Sequence, residues 1–141
     1  MKIIFTFALA GLVLVNGCAT TKPLPAGLRT GVQSAGGVKI LSAELLADDD
    51  GLLIHGVVER ESGYGGTSWR HLDVTVYGPG GELLAEEPVK FYPNPIPYSR
   101  FGPGRATYDF KLATLPPPNS TIRVAVDCTG LTDCKLARPS N

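Results

Sequence analysis

Between residues 37 and 127 the chain alternates apolar and polar side chains over short runs. Leu72, Val74 and Val76 are interleaved with His71, Asp73, Thr75 and Tyr77. A period of two puts the aliphatic set on one face of a strand and the polar set on the other. Trp69–Tyr77 is therefore predicted to be a half-buried strand. Arg105–Leu112 repeats the pattern with Tyr108, Phe110 and Leu112 on one face. Thr121–Asp127 does so with Ile122, Val124 and Val126 opposite Arg123, Ala125 and Asp127. Val38–Leu46, Leu52–Glu61 and Glu82–Phe91 are further runs of strand length.

The breaks between these runs are turn formers: Asp48-Asp49-Asp50-Gly51, Gly78-Pro79-Gly80-Gly81 and Pro116-Pro117-Pro118-Asn119. Gly51 is free to take a positive φ, which makes the first two runs a predicted hairpin. No long segment carries a helical period. The pattern predicts an all-β fold, an antiparallel β-sandwich of about six to seven short strands over 37–141.

Residues 19–36, ATTKPLPAGLRTGVQSAG, follow neither period and read as a flexible tether stiffened at Pro23 and Pro25. Before them, Lys2 precedes an apolar run, Ile3–Val15, free of charged residues. A lasting transmembrane helix needs about 20 apolar residues, so this shorter run predicts a cleaved signal peptide over 1–17. Val15-Asn16-Gly17-Cys18 resembles the lipobox of bacterial type II signal peptides. That resemblance implies lipid on Cys18, a membrane partner reached through the acyl chains, and 18–36 as lipidated cysteine plus tether. Each buried methylene contributes ~0.8 kcal/mol, so two or three long chains hold a protein on a bilayer. Ala19 rather than Asp follows the cysteine, which by the same resemblance implies the outer membrane, with the domain in the periplasm.

Charge narrows the function classes. The chain has 13 basic and 13 acidic residues, and losing residues 1–17 removes Lys2 and leaves a formal charge of −1. No basic stripe offers phosphate neutralisation, so nucleic acid is not an expected partner. With Cys18 lipidated, Cys128 and Cys134 remain as an even pair in an oxidising compartment. A disulfide between them is expected to contribute roughly 2–2.5 kcal/mol for so short a loop. Their spacing is not C-x-x-C, and no histidine is near them in sequence.

Chemistry-bearing candidates are few. His71 and Asp73 share a predicted strand face, but with His55 elsewhere they fall short of the three or four ligands of a zinc site. Met1, the only methionine, is lost on cleavage. Neither metal nor cofactor is assigned. Asp48, Asp49 and Asp50 are consecutive, unlike alternating calcium ligands, and read as a solvated turn. No G-x-S-x-G elbow exists, and Glu86 and Glu87 point to opposite faces of a strand. The chain is expected not to be an enzyme.

Two loops are more suggestive. Gly63–Trp69 combines glycines with Tyr64 and the sole tryptophan, Trp69. Phe91–Gly104 is long for a compact domain and carries Tyr92, Tyr98, Arg100 and Phe101 among prolines. Tyr, Trp and Arg are typical interface anchors. Either both loops sit at one end of the sandwich and bind a partner, or their aromatics fold back to cap the core.

Gly56 within Leu53–Val58, then His71–Val76, the Gly80-Gly81-Glu82 turn and Tyr108–Leu112 together resemble small immunoglobulin-like domains of bacterial envelope proteins, of the FxLYD type. The resemblance implies an immunoglobulin-like sandwich and no particular activity. The resulting expectation is an envelope lipoprotein whose non-catalytic domain makes contacts with a protein partner or with the envelope's structure. The alternatives are a metal-handling protein, an enzyme, or a glycan-binding module on the same fold.

Overall fold

The structure, a computed structural model, describes residues 22–63 and 70–127. Among the described residues there is no helix, and eight strands form two four-stranded sheets. They are β1 (Arg29–Gln33), β2 (Val38–Asp48), β3 (Gly51–Arg60), β4 (Leu72–Tyr77), β5 (Leu83–Val89), β6 (Phe91–Tyr92), β7 (Arg105–Leu112) and β8 (Thr121–Val126). One sheet runs β1-β8-β4-β5 and the other β2-β3-β7-β6. The fold is a β-sandwich. Its second sheet follows the A-B-E-D order of immunoglobulin domains, and β4 beside β8 corresponds to the C–F pair.

The alternating residues form the core. Leu72, Val74, Val76, Ile122 and Val124 have no solvent exposure, and they face Leu52, Ile54, Val58, Ala106, Tyr108 and Phe110 of the other sheet. The β2–β3 hairpin pairs Asp48 with Gly51, leaving Asp49 and Asp50 as its turn. Gly51 has φ 133°, and a Cβ there would lie 2.0 Å from the Leu112 carbonyl oxygen. Conformation and space thus both require glycine.

Gly56 is required for a different reason. It pairs across strands with Tyr108, whose ring lies over it. A Cβ on Gly56 would sit 2.5 Å from the tyrosine Cζ and 2.2 Å from the Ser42 carbonyl oxygen. That carbonyl accepts a hydrogen bond of 2.9 Å from the Tyr108 hydroxyl. One ring therefore fastens β7 across β3 to β2, with its polar tip satisfied inside the sandwich.

Two details differ from the sequence reading. Arg29–Gln33, read as tether, is strand β1, and it pairs with β8 in parallel rather than antiparallel. Four of its five residues are exposed, so this edge strand needs no apolar face and leaves no periodic signal. The described part of the tether is also held: Asn119 N donates to Ala26 O at 2.9 Å, Arg29 N to Ser120 O at 3.0 Å, and Lys22 pairs with Asp49 at 2.9 Å. The second difference is at Phe91–Tyr92, which continues as strand β6 after the chain crosses from one sheet to the other at Lys90.

The register gives the domain two distinct ends. Arg29, Thr121 and Tyr77 lie at one, with the β2–β3 and β4–β5 turns. Arg60, Arg105, Leu72 and Val89 lie at the other. The chain enters at the first end; the aromatic-rich connection lies at the second. At ~3.4 Å per residue, the length of β3 separates them by about 30 Å.

Gly56→Ala is expected to cost about 1–3 kcal/mol or more through overpacking, and Tyr108→Phe about 1–2 kcal/mol through the lost buried hydrogen bond, read as shifts in urea midpoint. Burial pushes the Tyr108 phenol up to about 12 from its usual 10. Folding therefore favours its neutral form, a contribution present in full below pH 10 and lost as pH rises toward 12. Urea midpoints measured across this window should fall more steeply for the wild type than for Tyr108→Phe.

Candidate functional site

The end opposite the chain entry carries the candidate site. There β5 passes into β6, and the chain returns to β7 through residues 93–104. Phe91 is 1 % exposed and Ile96 is 1 % exposed, so the connection is pinned to the core at two points. A Cβ on Gly104 would lie 1.9 Å from the Pro97 carbonyl oxygen, so the two limbs of the loop touch backbone to backbone. The Tyr92–Pro93 and Asn94–Pro95 peptide bonds are both cis.

What this scaffold displays is aromatic. Tyr92 is 82 % exposed, Tyr98 78 % and Phe101 fully exposed, and Arg100 lies between the last two in sequence, also exposed. These rings do not cap the core; Phe91 and Ile96, from the same connection, do. The Arg60 guanidinium lies 5.8 Å from the Tyr98 ring centroid, a cation–π contact that orients the ring. Tyr98, Arg60, Ser62, Gly63 and Gly102 line a groove of about 270 Å³.

The flanks of the glycine-rich loop reach the same end. Ser62 and Gly63 border the groove, and Asn94 Nδ2 donates to the Arg70 carbonyl at 2.8 Å. Tyr64 and Trp69 lie outside the described residues, as do Cys18, Cys128 and Cys134. Tyr98, Arg100 and Phe101 thus share the 93–104 loop, and Tyr92 ends strand β6 immediately before it.

The two histidines lie on opposite outer faces. His55 pairs in register with Asp109, and Nδ1 meets the carboxylate at 2.6 Å, a closed hydrogen bond. His71 precedes β4 and stands beside Asp73 and Asp127. The Asp127 amide donates to the His71 carbonyl at 2.9 Å, which extends the β4–β8 ladder by one step. His71 and Asp127 are therefore cross-strand neighbours, and Asp73 is two residues along on the same face. Nε2 of His71 is 3.3 Å from Asp73 Oδ1, and Nδ1 is 3.6 Å from Asp127 Oδ2. The sequence reading found His71 and Asp73 but missed Asp127, which only the pairing of β8 with β4 brings to them.

Comparison with protein-family models, curated proteins and solved structures finds no match to this chain.

Phe101→Ser should leave the thermal midpoint unchanged, since the ring contributes no burial. Ile96→Ala should destabilise by about 2–5 kcal/mol, as expected for truncating a buried side chain. Parallel thermal melts check both. A Phe101 variant that melts like the Ile96 variant would make the exposed aromatics part of the core.

Proposed function

We propose that the chain is an envelope lipoprotein, anchored by lipid on Cys18, whose immunoglobulin-like sandwich serves as a non-catalytic module that contacts a protein partner through its aromatic end. The lipobox-like Val15–Cys18 and the apolar run before it support the anchor. The observation that carries the contact role is the display of Tyr92, at the end of β6, and of Tyr98 and Phe101, on the loop that follows, each more than three-quarters exposed on a segment fastened beneath by Phe91 and Ile96. A surface of this kind binds at small entropic cost, because it is already ordered, and tyrosine and arginine are the side chains that dominate interface energies.

The polarity of the domain fits this role. The chain enters at one end and the aromatic loop lies at the other. A lipid on Cys18 holds the entry end toward the bilayer and turns the loop outward, about 30 Å away. In this reading Cys128 and Cys134 form a disulfide in the periplasm, and the domain belongs to the outer membrane.

The anchor is tested by intact mass on protein from the fractionated host. Residues 18–141 plus acyl chains in the membrane fraction, lost in Cys18→Ser, is the expected result; a soluble, unlipidated product refutes it. The contact role is tested with a photo-reactive amino acid at Arg100. One discrete cross-linked species should form in the envelope and fall at least ~10-fold in yield when Tyr98→Ala and Phe101→Ala are combined, with thermal stability unchanged. Equal cross-linking in the variant refutes the aromatic contact.

A further inference from the structure

The structure holds two histidine–aspartate pairs, and they differ in a way that bears on metal binding. His55 and Asp109 are closed on each other at 2.6 Å, a contact with no room for an ion. His71 is held open, 3.3 Å from one carboxylate and 3.6 Å from another, both longer than the ~2.9 Å of a well-made hydrogen bond. The two carboxylates face different ring nitrogens, so an ion bound at Nε2 or at Nδ1 uses one of these gaps. Each gap is close to the ~3.3 Å between neighbouring ligands on a tetrahedral ion with bonds of ~2.0–2.1 Å, and the second carboxylate must swing toward the same nitrogen.

One ligand atom from each of His71, Asp73 and Asp127 lies within 4.8 Å of the others. Closing the widest such gap to tetrahedral spacing takes at most roughly 1.5 Å of side-chain movement. The backbone already fixes the relation between the three, because β4 and β8 are adjacent central strands and the residues occupy one outer face. All three side chains are partly shielded: His71 is 33 % exposed, Asp73 41 % and Asp127 14 %. Partial burial strengthens the attraction of two carboxylates for a cation without sealing the site.

We propose that His71, Asp73 and Asp127 form a binding site for a divalent transition metal, with zinc the best match to one imidazole and two carboxylates. Nitrogen–oxygen ligation suits zinc over calcium or magnesium, which take all-oxygen shells. Three protein ligands leave a fourth position for water or for a group from outside. The site borders the aromatic end, since Arg70, next to His71, is bonded by Asn94 of the exposed loop. The inference does not depend on the lipid anchor or on the aromatic contact.

The test is calorimetric titration of zinc chloride at pH 7.5 into the detergent-solubilised chain, with its cysteines alkylated so that thiols cannot bind the metal. One equivalent should bind saturably to the wild type and equally to His55→Ala. Affinity should fall at least ~10-fold in His71→Ala and in Asp127→Asn. Asp73→Asn provides a further ligand variant, and thermal melts without zinc identify any variant that has lost its fold. In nitrogen-15 spectra of the imidazoles, zinc should move the His71 ring and leave His55 in place. Absence of saturable binding, loss of binding in His55→Ala, or unchanged binding in the folded His71 and Asp127 variants overturns the site.

Discussion

The sandwich depends on one ring placed over one missing side chain. Tyr108 occupies the space that any Cβ on Gly56 would need, and its hydroxyl reaches past β3 to the Ser42 carbonyl on β2. Three strands of one sheet are thereby held in a single register. A slip of one residue in β7 would turn Tyr108, Phe110 and Ala106 outward and bring Asp109 and Thr107 into the core. The other sheet needs no such device, because its inner face is an unbroken aliphatic layer of Leu72, Val74, Val76, Ile122, Val124 and Val126. The ring inside the sandwich therefore fixes the register that aliphatic packing alone leaves less specified.

With the register set, the ends of the domain follow. Every strand that borders residues 93–104 does so at the end away from the chain entry, so the exposed aromatics cluster there. The same register carries Asp127 to His71. Each arrangement is completed by a contact distant in sequence: Asn94 reaches back to Arg70, and Asp127 to His71. The aromatic loop and the carboxylate–imidazole group are separate features joined by topology, the first suited to a macromolecular surface and the second to an ion.

The strands that alternate were legible, because half-burial writes itself into a sequence as a period of two. β4, β7 and β8 lie where Leu72–Val76, Tyr108–Leu112 and Ile122–Val126 placed them. β1 was not legible. A parallel edge strand with one valine and four exposed residues obeys no face rule, and its pairing is set by β8, about ninety residues further on. The change of sheet at Lys90 was hidden for a related reason: Phe91 read as the end of one strand begun at Glu82 and Tyr92 as loop, because prolines follow and two residues are too few to show a period. At the candidate site the sequence pointed to Tyr92, Tyr98, Arg100 and Phe101 but could not say which neighbouring rings would fold inward. Asp127 ended a predicted strand with nothing to mark it, since its significance lies wholly in which strand stands beside it.

The parallel pairing of β1 with β8 also decides how the domain would bear a load. β1 runs away from the entry end, so tension on the chain before Arg29 pulls along the strand axis, and resistance from the far end of the domain pulls the other way. That direction shears the β1–β8 ladder, and its hydrogen bonds share the force. An edge strand pulled at right angles would instead lose them one at a time. The polar, exposed strand at the edge thus lends the molecule mechanical toughness where its chain leaves the folded body.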